Sequence, residues 1–517
     1  MSVISFFDRG WRQSPDAPAY IMGGRSWSYD DVHRGSSRIA RAILGMGERV
    51  RHVGVLSAND PAAWVGILGA WRAGGVWVPL NVAYPAKDTA HAINGFDVDL
   101  VFFQASSAGL VEEISALVER PVQWICLDDD GTGNISLGDW SGHLSDDPLQ
   151  VGWEPDDVVA IMPTGGTTGK PKGVMNTHRT LAASITHMML VFAYRADEPI
   201  INLAAAPMTH AAGLLTLPCL ARGGTVVVLP RADAGPVLTA LEQTRATEVF
   251  LPPTALYRLL DLPRLDQADI GSLRYLLYGA APIALPRLRE AVERLGPVLM
   301  GGYGQMEAPM AISYLTPPEH MDGGSVADDA VLGSCGRPLP LVQVEIRDDS
   351  DRPVPTNQVG EICVRGDLVM KGYYRRPDLT AETIIEGWLH TGDIGRLDDH
   401  GRLTISDRKK DMIISGGSNV YPSEVETVLA GHPAVLESAV VGVPDDEWGE
   451  RVVAFVELRP GVDPVDGPAL VAWGRERLGG IRAPKQVVIV AALPRSAAGK
   501  ILKAELRGTR NTQRALA

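Results

Sequence analysis

Short runs of β-branched and aromatic residues alternate along the chain with longer stretches in which apolar positions recur every three or four residues. HVGVLS at 52–57, VWVP at 76–79, DLVFF at 99–103, VQWICL at 122–127 and VVAIMP at 158–163 read as strands, and 30–46 and 62–74 as helices. The rhythm continues through TVVVLP at 225–230, EVFLPP at 248–253 and RYLLYGAAP at 274–282. Strands alternating with helices of this length predict an α/β fold of parallel or mixed sheets. From about Val331 the strands and turns become closely spaced, in 342–355 and 360–374, which predicts a β-rich subdomain. Charges and glycines then crowd 401–422, and a fresh αβ pattern starts at 423, marking a linker and a small C-terminal α+β domain.

Composition changes this picture little. The 517 residues are 45% hydrophobic and 21% charged, an ordinary globular mixture. The net charge of −14 repels phosphate backbones and makes nucleic acid an unexpected partner. Cys126, Cys219, Cys335 and Cys363 are far apart in sequence, without zinc-ligand spacing, and read as buried thiols of a reducing compartment. Asp8, Arg9 and Arg12 interrupt what would be the apolar run of a signal peptide. With no apolar run approaching about 18 residues, no membrane span is expected, and the expected location is the cytoplasm.

The densest chemistry lies in TGGTTGKPKG at 164–173, directly after a strand-like run. Its glycines let backbone N–H groups converge on an anion, Thr164, Thr167 and Thr168 add hydroxyl donors, and Lys170 and Lys172 add charge. This is a phosphate cradle but not a Walker A loop, because Pro171 stands where that motif has Ser or Thr. Glu307, in the glycine-rich GYGQME at 302–307, suits a hard cation such as Mg²⁺, which often takes one or two protein carboxylates plus phosphates and waters.

The 164–173 string resembles the loop that binds the β- and γ-phosphates of ATP in the AMP-forming adenylating superfamily: acyl-CoA synthetases, fatty-acid–CoA ligases, peptide-synthetase adenylation domains and luciferases. Further segments follow in that family's order, so that the resemblance spans about residues 5–507. GAWRAGGVWVPLN at 69–81 resembles its early packing motif, and LLYGAAP at 276–282 its adenine-binding segment, with Gly279, Ala280 and Ala281 in the matching places. GYGQME resembles the signature in which the tyrosine, here Tyr303 between Gly302 and Gly304, stacks on adenine and the glutamate holds Mg²⁺. In LHTGDIG at 389–395 the resemblance gives Asp393 to the ribose hydroxyls, and in DRKKD at 407–411 it gives Arg408 to ribose and Lys410 the role of hinge pivot. Gly416 and Gly417 match the loop lining the pantetheine tunnel of CoA ligases, and Lys500 matches the adenylating lysine. PMTHAAG at 207–213 is similar to the segment whose imidazole walls the acyl path.

The resemblance implies an ATP-dependent acyl-CoA synthetase, with ATP, Mg²⁺ and CoA as its small molecules. Lys500, Glu307 and His210 are the implied catalytic residues. Thr164, Gly165, Gly166, Thr167, Thr168, Gly169, Lys170 and Lys172 would bind the phosphates, with Thr168 joining Glu307 at the metal. His210, Gly213, Ala308 and Pro309 would line an acyl pocket whose segments carry no Lys or Arg, favouring an uncharged, hydrophobic acid. Residues 1–406 would form the ATP- and acyl-binding domain, with the β-rich subdomain at about 331–406, then a hinge at 407–411 and a mobile lid at 412–517. The partners expected are small molecules, with homodimerisation left open. Two departures stand out: Gly165 replaces a common serine, and Met306 replaces a threonine that donates to the α-phosphate, which a thioether cannot do. Rival readings are a ligase that loads a carrier protein and a non-catalytic nucleotide-binding relative.

Overall fold

The computed structural model describes residues 1–47, 51–128, 133–164, 171–459, 461–463, 465–495 and 501–508. Two mixed sheets form most of the first 340 residues. The nine-stranded sheet runs, in spatial order, Arg337–Pro338, Ala308–Leu315, Leu299–Gln305, Tyr275–Gly279, Glu248–Leu251, Ile201–Ala204, Thr225–Val228, Pro18–Met22 and Arg25–Ser28. The seven-stranded sheet runs Gly372–Tyr373, Lys172–Thr177, Val158–Thr164, Val76–Leu80, His52–Leu56, Leu100–Phe103 and Gln123–Cys126. The central pairs of both are parallel, with helices between successive strands. The alternation of strand and helix patterns is therefore the α/β architecture it predicts.

Helix Pro61–Arg72 is apolar almost all round because it is buried on every side, where Trp64, Trp71 and Trp77 meet edge to face. Its C-terminal Arg72, only 1% exposed, forks onto the buried Asp8 carboxylate and donates through Nε to Ser36 at 2.8 Å. The charges near the N-terminus thus have an internal function: Asp8 neutralises an arginine that would otherwise be buried alone.

Residues Val342–Arg347, Gly360–Gly366, Ile384–Ile385, Trp388–Leu397 and Leu403–Arg408 form a five-stranded antiparallel sheet. Two short strands from the same stretch pair elsewhere: Arg337–Pro338 extends the nine-stranded sheet and Gly372–Tyr373 the seven-stranded one. The β-rich region is thereby stitched to both large sheets. After residue 412 a separate core forms on the hairpin Val435–Asp445 and Gly449–Leu458, with Ile413–Ser415, Ser418–Val420 and Gln486–Val490 beside it. Helices Pro422–Ala430 and Gly467–Arg482 cover it.

None of the four cysteines is in a disulfide; Cys126, Cys219 and Cys363 are buried and Cys335 is half-buried. Burial pushes the Cys335 and Cys363 thiols up to about 12, so neither is a ready thiolate. Among the described residues no helix is long and apolar enough to cross a membrane.

Three histidines are held neutral inside the body. His33 stacks on Trp11 at 3.7 Å, His178 accepts the Val3 N–H at 3.1 Å, and His320 meets the Tyr278 hydroxyl at 2.9 Å. Burial lowers each to about 4. An unfolded histidine titrates near 6.5, so the unfolded chain binds protons first on acidification. Stability is expected to be fully present above about pH 6.5 and to fall progressively toward pH 4. Thermal midpoints measured between pH 8 and 4.5 check this, and replacing His33 and His320 by Gln should flatten the decline.

Candidate active site

The carboxyl ends of parallel strands are where open α/β sheets bind ligands, and most of the candidate residues lie there. Strands Val158–Thr164 and Lys172–Thr177 form an antiparallel hairpin in which Thr164 pairs with Lys172, and Thr164 Oγ1 donates to the Lys172 carbonyl at 3.4 Å. The candidates Gly165, Gly166, Thr167, Thr168, Gly169 and Lys170 lie outside the described residues; the described ends of the hairpin bracket them. Lys172 Nζ stands 5.1 Å over the ring of Tyr373, whose hydroxyl donates to Glu307 Oε1 at 2.8 Å. Burial and the neighbouring Glu307 charge both push the Tyr373 pKa up, keeping it a donor.

Glu307 sits in the turn between strands Leu299–Gln305 and Ala308–Leu315, and its carbonyl accepts the Met370 N–H at 2.8 Å. Among the described residues no group of three or more His, Cys, Asp or Glu could hold a metal ion. The donor set fits Mg²⁺ only as a single carboxylate completed by substrate oxygens and water. The Met306 side chain packs against the core, and its carbonyl accepts Asn176 Nδ2 at 3.4 Å, tying the turn to the hairpin. Beside it Gln305 Nε2 is a buried donor without a hydrogen-bond partner among the described residues.

On strand Leu299–Gln305, four residues before Glu307, the Tyr303 hydroxyl donates to Asp393 Oδ2 at 2.7 Å, and Arg408 Nε lies 2.6 Å from Asp393 Oδ1. Asp393 is 3% exposed and pairs with Arg408 across adjacent strands. Burial, then the Asp393 charge, push the Tyr303 pKa up. The carboxylate is thus held by a phenol and a guanidinium, and as an acceptor-only group it suits hydroxyl donors.

Glycines make the adjoining surface. Gly279 pairs with Gly302, and a Cβ on Gly279 would stand 2.8 Å from the Gly302 carbonyl oxygen. A Cβ on Gly304 would fall 2.5 Å from the Met310 nitrogen. Ala280 adopts a left-handed φ of 65° and, with Ala281, is exposed, leaving a backbone ledge without bulky side chains.

His210 precedes the short helix Ala211–Leu214 and is half-buried, with Nδ1 3.3 Å from Thr209 Oγ1. The loop leading to it hangs on Asn59, 4% exposed, whose Nδ2 donates to the Ala205, Ala206 and Leu229 carbonyls and whose Oδ1 accepts the Met208 N–H at 2.7 Å. Gly213 leaves no room for a side chain: a Cβ would lie 2.0 Å from the Met208 oxygen and 2.2 Å from the Trp64 ring. Ala308 and Pro309 are buried in a strand propped by helix His178–Val191, where Ser184 Oγ donates to the Pro309 carbonyl at 2.8 Å.

Thr164, Lys172, Glu307, Tyr303, Asp393 and Arg408 are therefore linked through Tyr373, Asn176 and their shared strands. Lys410, Gly416 and Gly417 stand apart from this group. Lys410 is exposed in the single turn Lys409–Asp411. Gly416 and Gly417, with φ of 56° and 73°, turn the hairpin Ile413–Ser415 and Ser418–Val420, and Gly416 backs onto Trp448. Lys500 lies outside the described residues. Sequence reasoning missed Asn59, Asn176 and Tyr373, each of which acts through a contact distant along the chain.

The chain matches the model of the AMP-binding enzyme family over residues 7–374 and that of the AMP-binding enzyme C-terminal domain over 424–500. It belongs to this family, the AMP-forming adenylating superfamily. It is 38% identical over 501 residues to a feruloyl-CoA synthase of an Amycolatopsis species, covering 96% of each chain. It is also 38% identical over 479 residues to the medium/long-chain-fatty-acid–CoA ligase FadD8 of Mycobacterium tuberculosis, covering 90% of this chain and 82% of that one. Among solved structures, the amide bond synthetase McbA from Marinactinospora thermotolerans superposes with a TM-score of 0.87 at 34% identity, over 98% of this chain and 99% of the other.

Tyr373→Phe removes the donor to Glu307 while keeping the ring under Lys172. A hydrogen bond to a charged group contributes about 1.5–3 kcal/mol. ATP affinity measured by calorimetry with Mg²⁺ present is expected to fall roughly 10- to 100-fold, and an unchanged affinity would exclude Tyr373 from organising this site.

Proposed function

We propose that this chain is an ATP-dependent, AMP-forming acyl-CoA synthetase acting on an uncharged, hydrophobic acid, fatty or alicyclic or aromatic. The observation that carries the reading is the convergence of Tyr303 and Arg408 on the buried Asp393, on the same strand ends as Glu307 and Lys172. The Asp393 carboxylate, an acceptor-only group, suits the vicinal hydroxyls of ribose, and the exposed ledge at Ala280 and Ala281 suits a flat base. In this reading 1–406 is the body, 407–411 the hinge and 412–517 the lid. The thiols, none of them in a disulfide and three of them buried, suit a reducing, cytoplasmic setting.

Activation joins a carboxylate to the α-phosphorus of an anionic nucleotide, so charge neutralisation and in-line placement dominate over proton transfer. A carboxylate oxygen attacks, the bond to the β-phosphate breaks and pyrophosphate leaves. Lys172 and the 165–170 segment hold the departing charge, and Lys500 bridges carboxylate and α-phosphate. Glu307, with Thr168, would hold Mg²⁺, which supplies further neutralisation of the phosphates. Gln305 Nε2, the orphan donor next to Met306, provides the amide hydrogen that the missing threonine would have supplied. The acyl-adenylate is a mixed anhydride that water would destroy in an open cleft, which gives a closing lid its chemical use. Once the lid turns, Gly416 and Gly417 admit a thiol; its sulfur attacks the acyl carbonyl, the bond to AMP breaks and AMP leaves.

The acid is assigned from the lining. His210 is followed by Ala211, Ala212, Leu214 and Leu215, and neither this segment nor Ala308 and Pro309 brings a cation to pair with a second carboxylate. The two relatives above, named for feruloyl and fatty acyl groups, support an acid of that kind.

The test is acid-dependent exchange of pyrophosphate into ATP over a panel of fatty and aromatic acids, followed by mass detection of thioester with CoA or with a phosphopantetheinyl carrier. Exchange with hydrophobic acids and a CoA thioester are expected. A thioester on the carrier alone would reassign the acceptor, and nucleotide binding without exchange would favour the non-catalytic rival. Lys500→Ala is expected to slow adenylation about 10²- to 10³-fold, the scale of a lost oxyanion contact. Thioester formation from supplied acyl-AMP should be far less affected, and equal losses would contradict the role given to Lys500.

A further inference from the structure

The segment between body and lid is anchored on both sides. Arg408 is paired with Asp393 at 2.6 Å, and Lys409 Nζ donates to Glu361 Oε2 at 3.0 Å. Glu361 belongs to the body, where its other oxygen accepts the Gly392 N–H at 3.1 Å, one residue before Asp393. Beyond the turn, Asp411 is paired with Arg507 of the lid at 3.0 Å. Lys410 lies between these ties and has none among the described residues.

One further contact bridges the two parts. Asp407, near the end of strand Leu403–Arg408, accepts the backbone N–H of Ser423 on Oδ2 at 2.8 Å, and the Ser423 hydroxyl donates to the Ser406 carbonyl. Ser423 is the second residue of lid helix Pro422–Ala430. The first-turn N–H groups of a helix have no partner within it, and a carboxylate is a preferred acceptor there for both its lone pairs and its charge. This helix has no cap of its own: Tyr421 precedes it without a side-chain hydrogen bond, and Pro422 has no N–H. The body supplies the missing cap.

The orientation held in this way leaves the Gly416–Gly417 turn, the proposed thiol entry, exposed. On the lid, Glu437 pairs with Arg495, which bridges to Ile501. Glu437 and Arg459 act electrostatically on Tyr257 of the body, whose hydroxyl accepts the Ala284 N–H at 2.8 Å beside the Ala280–Ala281 ledge. The lid therefore presents Glu437 and Arg459 to the body rather than Gly416 and Gly417.

We propose that Asp407 is a positioning residue for adenylation: by capping the lid helix from the body it latches the lid in this orientation, and passage to the thiol-transfer step breaks the cap while Lys410 takes up the rotation. The proposal rests on the acyl-CoA synthetase reading. The test combines electron-resonance distances between one spin label on the body and one on helix Gly467–Arg482 with the two half-reactions, in wild type, Asp407→Ala, Asp407→Asn and Ser423→Pro. Loss of a helix cap predicts that the present orientation falls roughly 2- to 30-fold relative to other orientations in Asp407→Ala. Asp407→Asn, which keeps a neutral acceptor, should show a smaller change, and Ser423→Pro, which removes both the N–H and the hydroxyl that donates to Ser406, should lose at least as much as Asp407→Ala. Pyrophosphate exchange should fall by a similar factor while thioester formation from supplied acyl-AMP does not. Distances unchanged in folded variants, or equal losses in both half-reactions, overturn the latch. If Asp407→Ala does not fold, Asp407→Asn and Ser423→Pro decide it by the same criteria. Failure of wild type to exchange pyrophosphate with any acid would sink the functional reading instead, and the distances would still decide the latch.

Discussion

Asp393 is the carboxylate through which two sheets of the body meet at the candidate site. Its strand, Trp388–Leu397, belongs to the five-stranded sheet; Tyr303, which donates to it, belongs to the nine-stranded one; Arg408, which neutralises it, leads to the C-terminal part. A carboxylate 3% exposed is tolerated only when charge and hydrogen bonds replace its lost water, and here both come from residues distant in sequence. Around it Glu361 adds a second layer. Burial raises its pKa, but Lys409, His390 and the Gly392 N–H outweigh that effect and the net shift is downward, so Glu361 stays ionised while holding the turn that precedes Asp393.

The same economy appears at the other end of the site. The loop before His210 carries backbone groups that no strand satisfies, and the single Asn59 amide serves three carbonyls and one N–H. Gly213 then lets that loop close against Trp64, one of three indoles packed edge to face under the strand ends. Packing of the core and placement of the candidate imidazole are thus one problem, solved by residues of the first helix-to-strand unit.

Much of this was legible in the sequence, for identifiable reasons. Strand and helix periodicities follow burial, so VVAIMP, RYLLYGAAP and the helix at 62–74 emerge where their patterns lie. The glycines at 279 and 304 are demanded by close backbone approach and that at 302 by the Tyr314 ring, which makes their spacing informative. What the sequence hid are contacts between distant positions: Asn59, Tyr373 and the pairing of Asp407 with Ser423 look like ordinary polar residues until the fold joins them. The two-residue strand Gly372–Tyr373 was likewise too short to carry a period, although it places the Tyr373 hydroxyl on Glu307. The buried Asp8–Arg72 pair was concealed by the general rule that charges lie on the surface.

The most direct measurement is a crystal structure of the protein with a non-hydrolysable acyl-adenylate mimic, in which a sulfamate replaces the phosphate. The account predicts the ribose diol within hydrogen-bond distance of Asp393, the base on the ledge at Ala280 and Ala281, and the acyl group running past His210. The mimic bound at another place, or no detectable affinity for it by calorimetry, would contradict the assignment.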